Sequence, residues 1–305
     1  MSVYLPIAEM SVSIFLLIGL GAGVGFLGGV FGVGGGFLMT PFLIFIGVPP
    51  AVAVASTANQ VIAGGVTSAY AHWRRRTIDM RMAGVVVAGG FVGSVVGVLL
   101  FGLLRRFGQI DLFISLSYVV LLGTVGTLMA IEATRTFLRR RHSTGGRRRL
   151  HEHYWAHGLP FKVRFPRSRL YISVLMPLAL SFCIGILSGV MGVGGGFIMV
   201  PAMIYLLGMP TQVVPGTAQV QIVFVAASAT LLQAIQHQTV DALLAFILLI
   251  GGVVGSHFGS VMSQRLRGEQ LRGLLALLLL VVAGKLLVDL TLTPGDIFTV
   301  VTQRR

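Results

Sequence analysis

The sequence predicts an all-α polytopic membrane protein built from two homologous halves, and three observations carry that reading. First, 55% of the 305 residues are hydrophobic and only 10% are charged, with a mean hydropathy of +0.91. A soluble domain of this size carries about 25% charged residues. Second, ten apolar stretches fall at 11–31, 35–48, 50–72, 80–104, 111–134, 170–191, 195–208, 212–236, 241–263 and 271–290. Most approach the ~20 residues that a spanning helix needs. Third, the string GVGGGF occurs twice. The first copy lies in Gly25–Pro41 and the second in Gly185–Pro201, each with a proline five residues after the last consecutive glycine.

The halves match beyond these glycines. Gly47-Val48-Pro49 corresponds to Gly208-Met209-Pro210, Ser56 to Thr217, and Gln60 to Gln221, the last two at an offset of 161. Thr77-Ile78-Asp79 corresponds to Thr239-Val240-Asp241, and Gly89–Ser94 to Gly251–Ser256. Matches in that order across several segments indicate a tandem duplication. The chain divides into a first transmembrane repeat (1–134), a basic linker (135–169) and a second transmembrane repeat (170–305).

The N-terminal segment has no Lys or Arg before its apolar run. A signal peptide carries a basic leading region, so the segment is expected to be retained. The stretches 35–48 and 195–208 are too short to span alone, and each follows a glycine run that breaks a helix. Each glycine element therefore joins a longer helix to a half-length one. The pair either spans as one broken helix or folds back as a re-entrant hairpin.

Charge placement favours the hairpin. Of 23 Lys and Arg, 11 lie between Arg135 and Arg169, with Glu152 as the only acid there. Such a run reads as a cytoplasmic loop under the positive-inside rule, not as a nucleic-acid site. With fold-back elements, three helices per half cross and the repeats are inverted. Arg74, Arg75, Arg76, Arg81, Arg265, Arg267 and Arg272 then join the linker inside. Arg105, Arg106, Arg304 and Arg305 lie outside. Spanning elements would give parallel repeats and move Arg265, Arg267 and Arg272 outside, against the rule.

The candidate binding residues follow the duplication. Gly34, Gly35 and Gly36, with Gly194, Gly195 and Gly196, open short half-helices whose N-termini carry positive dipole ends and unpaired N–H donors. Together they make an anion site; the competing reading is close packing of helices at small residues. Ser56, Thr57, Asn59 and Gln60 stand at equivalent places to Thr217, Gln219 and Gln221. Ser56 and Gln60 share a helix face at i, i+4, as do Thr217 and Gln221. These neutral groups either contact substrate or bond neighbouring helices. Asp79 and Asp241 each follow a threonine by two residues. Thr77 and Thr239 read as N-caps, with each Asp in the first helical turn; the alternative for the carboxylates is proton coupling.

Several features are expected to be structural. Lys285 and Asp289 stand four apart and neutralise each other or snorkel. Cys183 packs within its apolar run, His257 packs or hydrogen-bonds, and His72 is interfacial. In the linker, His142, His151, His153 and His157 do not form a strong metal pattern. Tyr154, Trp155, Phe161 and Phe165 interleave with Lys162, Arg164, Arg167 and Arg169, which suits a surface on anionic lipid headgroups. No catalytic or nucleotide motif is present, so neither an enzyme nor a primary pump is expected. No cofactor and no nucleic-acid partner is expected either.

The duplicated GxGGGxxxxP elements, the segments after Pro49 and Pro210, and the Thr-hydrophobic-Asp turns followed by GGxxGSxxG resemble the TauE/SafE sulfite exporter family, also called toluene sulfonate uptake permeases. The resemblance covers about 15–105 and 175–290. It implies a multi-pass protein of the bacterial inner membrane that moves sulfite, sulfoacetate or another sulfur-containing or organic anion, with the Gly turns, Ser56/Gln60 and Thr217/Gln221 lining the path. The long basic linker departs from the family's shorter ones. The expected function is a secondary transporter, an exporter of a small sulfur anion, working by alternating access. The alternatives are an uptake permease for another small organic anion and a membrane scaffold without flux.

Overall fold

The computed structural model describes residues 2–31, 35–140, 161–168, 170–210, 212–263 and 268–291. Each half opens with a β-hairpin. In the first, β1 (Ser2–Leu5) pairs antiparallel with β2 (Met10–Ser13), Ser2 opposite Ser13. In the second, β3 (Lys162–Phe165) pairs with β4 (Leu170–Ser173), Lys162 opposite Ser173. The hairpins align at an offset of 160, with Pro6 and Pro166 entering the turns. The second repeat's ordered structure therefore begins at Lys162, within the segment read from composition as linker. Its arginines hid an alternating strand pattern in which Phe165 is fully buried, not seated at headgroups.

Among the described residues, five helices follow each hairpin: α1 (Ile14–Phe31), α2 (Gly36–Phe45), α3 (Pro50–Arg74), α4 (Met80–Arg106) and α5 (Ile110–Arg140), then α6 (Leu175–Met191), α7 (Gly196–Tyr205), α8 (Val214–His237), α9 (Ala242–Ser263) and α10 (Gly268–Thr291). The glycine elements fold back. A Cβ at Gly35 would stand 3.0 Å from the Val24 carbonyl and 3.5 Å from Gly28 Cα, so α2 starts beside α1. A Cβ at Gly195 would stand 2.5 Å from Ile184 Cγ2, and Ile184 is the counterpart of Val24. Gly35 and Gly195 have φ of 73° and 74°, where glycine has no Cβ penalty. At the far end of α2, Gly47 lies near Met10, so the chain returns to the level at which α1 began.

The halves are interlocked. α1 packs along α9, and its counterpart α6 packs along α4. Both contacts are parallel: Gly21 meets Leu248 and Gly29 meets Ser256, while Gly89 meets Leu178 and Gly97 meets Ile186. Small residues allow this approach. A Cβ on Gly25 would stand 2.7 Å from Gly252 Cα, and one on Gly185 would stand 3.0 Å from Gly90 Cα. The counterparts α3 and α8 cross at the centre and run antiparallel, since Gly65 meets Val223 and Gly216 meets His72. α5 and α10 pair outside them.

Among the described residues, six helices are long and apolar enough to cross a membrane: α1, α4, α5 (Ile110–Ile131), α8, α9 (Ala242–Gly259) and α10 (Gly273–Thr291). The 25-residue α3, expected to be among the spanning helices, is not in this set, whereas α1 is. The reason is cover. Residues 52–58 of α3 are buried on every face, so α3 needs no lipid-facing hydropathy and accommodates Ser56, Thr57 and Gln60.

Candidate functional site

The two glycine turns meet where the halves cross. A Cβ on Gly36 would stand 3.4 Å from the Val193 carbonyl, and the rings of Phe37 and Phe197 stack with centroids 5.2 Å apart. Gly36 and Gly194 both abut Val61, and Gly194 also abuts Ile222, the counterpart of Val61. The N-termini of α2 and α7 are thus brought together. Gly35 and Gly195 cap them without any side-chain hydrogen bond. A helix's first turn leaves its N–H groups without intrahelical partners, and they carry the positive end of the dipole. Gly35, Gly36, Gly194, Gly195 and Gly196 are all buried, in apolar surroundings that screen a charge weakly. Gly34 lies outside the described residues.

The polar residues divide into different roles. Ser56 accepts from the backbone N–H of Asp241 at 3.1 Å, and Thr217 accepts from that of Asp79 at 3.2 Å. Each hydroxyl thus reaches a helix start in the opposite half. Thr57 pairs with Thr40 at 2.9 Å and donates to the Val54 carbonyl at 3.1 Å. Gln60 Nε2 donates to the Gly21 carbonyl at 3.4 Å, and Gln221 Nε2 donates to Ser181 Oγ at 3.1 Å. Gly21 and Ser181 are counterparts. The Oε1 atoms of both glutamines are buried and accept no hydrogen bond from the described residues. Gln219 is buried beside Gly65, and Asn59 is half-buried on α3.

The aspartates take the capping role that the sequence suggested for the threonines. Asp79 is the N-cap of α4, its Oδ1 accepting from the N–H groups of Arg81 and Met82 at 3.2 and 3.3 Å. Asp241 Oδ1 does the same for Leu243 and Leu244, both at 3.1 Å. Each Oδ2 reaches the hairpin of the other half. Asp79 accepts from Ser168 N–H at 2.9 Å and Ser168 Oγ at 2.7 Å, and Asp241 accepts from Ile7 N–H at 3.1 Å. Thr77 instead donates to the His72 carbonyl at 3.1 Å, within the turn that ends α3, and also pairs with His72 Nδ1. The expectation failed because a carboxylate two residues later can serve helix and hairpin together.

Other expectations shift as well. Lys285 places its ammonium 3.9 Å over the Phe45 ring, so a cation–π contact holds it. Cys183 is exposed, not packed. His142, His151, Glu152, His153, Tyr154, Trp155, His157, Arg169, Arg265, Arg267, Arg304 and Arg305 lie outside the described residues. Two residues with no counterpart polarity escaped the sequence reading. Thr40 stands where the second half has Val200. Tyr118 donates to the Met191 carbonyl at 2.9 Å, directly before the second glycine turn. Lone hydroxyls in apolar stretches gave no signal for either.

Two cavities lie away from the glycine turns. One of about 440 Å³ is lined by Trp73, Arg74, Arg76, Ile78, Met80 and Arg167. The other, of about 750 Å³, lies between the C-terminal ends of α4 and α8 and includes Arg105, Arg106 and His237. Neither touches the buried turns.

The chain as a whole is similar in sequence to known proteins. The family model described as "Sulfite exporter TauE/SafE" matches residues 17–286. "Probable membrane transporter protein YjnA" of Bacillus subtilis (strain 168) is 30% identical over 282 residues, covering 91% of this chain and 100% of that protein. A "Probable membrane transporter protein" of Xylella fastidiosa (strain 9a5c) is 30% identical over 83% of this chain and 86% of its own length. "Sulfite exporter TauE/SafE family protein 5" of Arabidopsis thaliana is 33% identical over 103 residues, 33% of this chain and 23% of that one. No solved structure matches.

Proposed function

Since this chain belongs to the sulfite exporter TauE/SafE family and is a multi-pass membrane transporter, we propose that it exports sulfite or a related small sulfur oxyanion by alternating access. The observation that carries this reading is the meeting of the α2 and α7 N-termini at Gly36, Phe37, Val193 and Phe197. Two positive dipole ends in a buried, apolar setting attract an oxyanion without a buried Lys or Arg. A site built from neutral groups also releases its ligand, which transport requires.

Transport then runs as follows. The turns are buried, which suits a sealed state of the cycle. One repeat rocks against the other, exposing the paired turns first to one side and then to the other. The Gln60 and Gln221 amides, which hold Gly21 and Ser181 in the sealed state, exchange those bonds for substrate oxygens, with Asn59, Thr57, Gln219, Ser56 and Thr217 near the path. The aspartates anchor the moving hairpins, and coupling through them is not needed. A negative-inside membrane assists a leaving anion by ~2.3 kcal/mol per charge per 100 mV.

Orientation follows from charge and from the antiparallel run of α3 and α8. The α3–α4 turn with Arg74, Arg75 and Arg76, the 135–169 linker and the α9–α10 connection face the cytoplasm of a bacterial inner membrane. The halves are then inverted repeats. The test is flux of labelled sulfite into liposomes holding the purified protein, at several imposed potentials. Saturable, potential-dependent uptake is expected; absence of saturable flux for sulfite, sulfonates and sulfate alike would remove the reading.

A further inference from the structure

We propose that the arginine-lined cavity beside the α3–α4 turn is a binding site for a phosphate-bearing anion, and that an occupant there ties the two halves together at that end of the molecule. The cavity encloses about 440 Å³, within the range of small-ligand pockets. Arg74 and Arg76 enter it from the first half, and Arg167 enters from the β3–β4 turn of the second. The Arg167 guanidinium is oriented by an NH1 bond of 2.7 Å to the Ile78 carbonyl, which leaves its remaining donors for a ligand. The nearest carboxylate in sequence, Asp79, has both oxygens engaged by the α4 cap and by Ser168.

The arginine lining is specific to one end. At the equivalent turn of the second half, Gln236 and Gln238 replace Arg74 and Arg76, and Ile7 replaces Arg167. The backbone is the same there: Arg76 and Gln238 sit at φ 54° and 51°. The shared turn thus has no need of guanidinium groups; a cytoplasmic placement accounts for positive charge at this end, but not for the convergence of Arg74, Arg76 and Arg167 on one cavity. Planar guanidinium forks match phosphate oxygens two at a time, which favours a phosphate group over a compact monoanion. Trp73, which lines the cavity and is 64% exposed, is a side chain that favours the membrane–water boundary. A lipid headgroup and a soluble phosphate share this chemistry.

The test uses the full-length protein, stripped of lipid in detergent. It is titrated separately with phosphatidylglycerol, phosphatidylcholine and inorganic phosphate, while thermal unfolding and lipid retention in native mass spectrometry are followed. The Arg74→Gln/Arg76→Gln/Arg167→Gln variant should bind the effective probe at least about tenfold more weakly than the parent, because charge-assisted bonds are lost. Arg105→Gln/Arg106→Gln, in the other cavity, should bind like the parent. Retention of phosphatidylglycerol that inorganic phosphate does not displace identifies a lipid headgroup; displacement identifies a soluble phosphate. Equal binding by the parent and the triple variant, or an equal loss in the Arg105/Arg106 control, overturns the proposal. Should the triple variant not unfold cooperatively, Arg167→Lys decides: it keeps the charge, loses the fork and should bind several-fold more weakly, and unchanged binding overturns the site.

Discussion

Asp79 accepts hydrogen bonds of 2.9 and 2.7 Å from the backbone N–H and the hydroxyl of Ser168, a residue of the opposite half. The same carboxylate caps α4. One buried side chain therefore secures both a helix start and the hairpin that introduces the other repeat. Asp241 repeats the arrangement with Ile7, but Ala8 stands where the second half has Ser168, so the hydroxyl bond is missing. Asp79→Ala should destabilise the protein by about 2–4 kcal/mol, combining a lost cap with lost charge-assisted bonds. Asp241→Ala should cost less, and Ser168→Ala alone about 1 kcal/mol. Denaturation in detergent measures all three; equal losses at Asp79 and Asp241 would show that the Ser168 hydroxyl contributes nothing.

Gly36 meets Val61 where the two turns cross, with no room for a methyl group. Its φ lies outside the left-handed region, so the obstacle is steric alone. Gly36→Ala should reduce flux strongly. Adding Val61→Ala should restore most of it, with a coupling energy of about 1 kcal/mol or more. Additive losses would separate the turn from the path.

Gln221 donates to Ser181 while its own carbonyl oxygen is buried without a partner. Removing the whole amide discards one hydrogen bond together with one unsatisfied acceptor. Gln221→Leu should therefore change stability by less than about 1 kcal/mol. If the amide turns to substrate during transport, KM for sulfite should rise about tenfold, the equivalent of one hydrogen bond. An unchanged KM would leave Gln221 as an interhelical contact only.

Arg75 and Arg106 lie at opposite ends of the bundle, by the run of α3 and α4. With exposed Cys183 replaced by Ser, the chain has no other thiol. In intact cells, a membrane-impermeant thiol reagent should label Arg106→Cys directly, and Arg75→Cys only after permeabilisation. The reverse pattern would invert the orientation.

The sequence alone determined the class, the duplication and the positions of the two glycine turns. Hydropathy recorded a bilayer solvent, and the doubled GVGGGF recorded two helix breaks at equivalent depth. A Thr-hydrophobic-Asp turn ahead of an apolar run marked the starts of α4 and α9 to within two residues, although the Asp and not the Thr takes the capping role. All of these are local or periodic properties, written in consecutive residues. The tertiary structure decided which surface each residue meets. Ser56 and Gln60 share a face of α3, yet one reaches Asp241 and the other Gly21, because α9 packs on that face and Gln60 lies against Gly252 on its way to α1. Ser168 reads as linker by composition, yet its hairpin opens the second half and its side chain bonds Asp79 of the first. The exchange of partners between α1 and α9, and between α6 and α4, joins residues more than 200 positions apart in the first case. No spacing along one chain encodes that pairing. It emerges when small-residue faces of two repeats find that burying backbone against each other packs better than burying it against themselves.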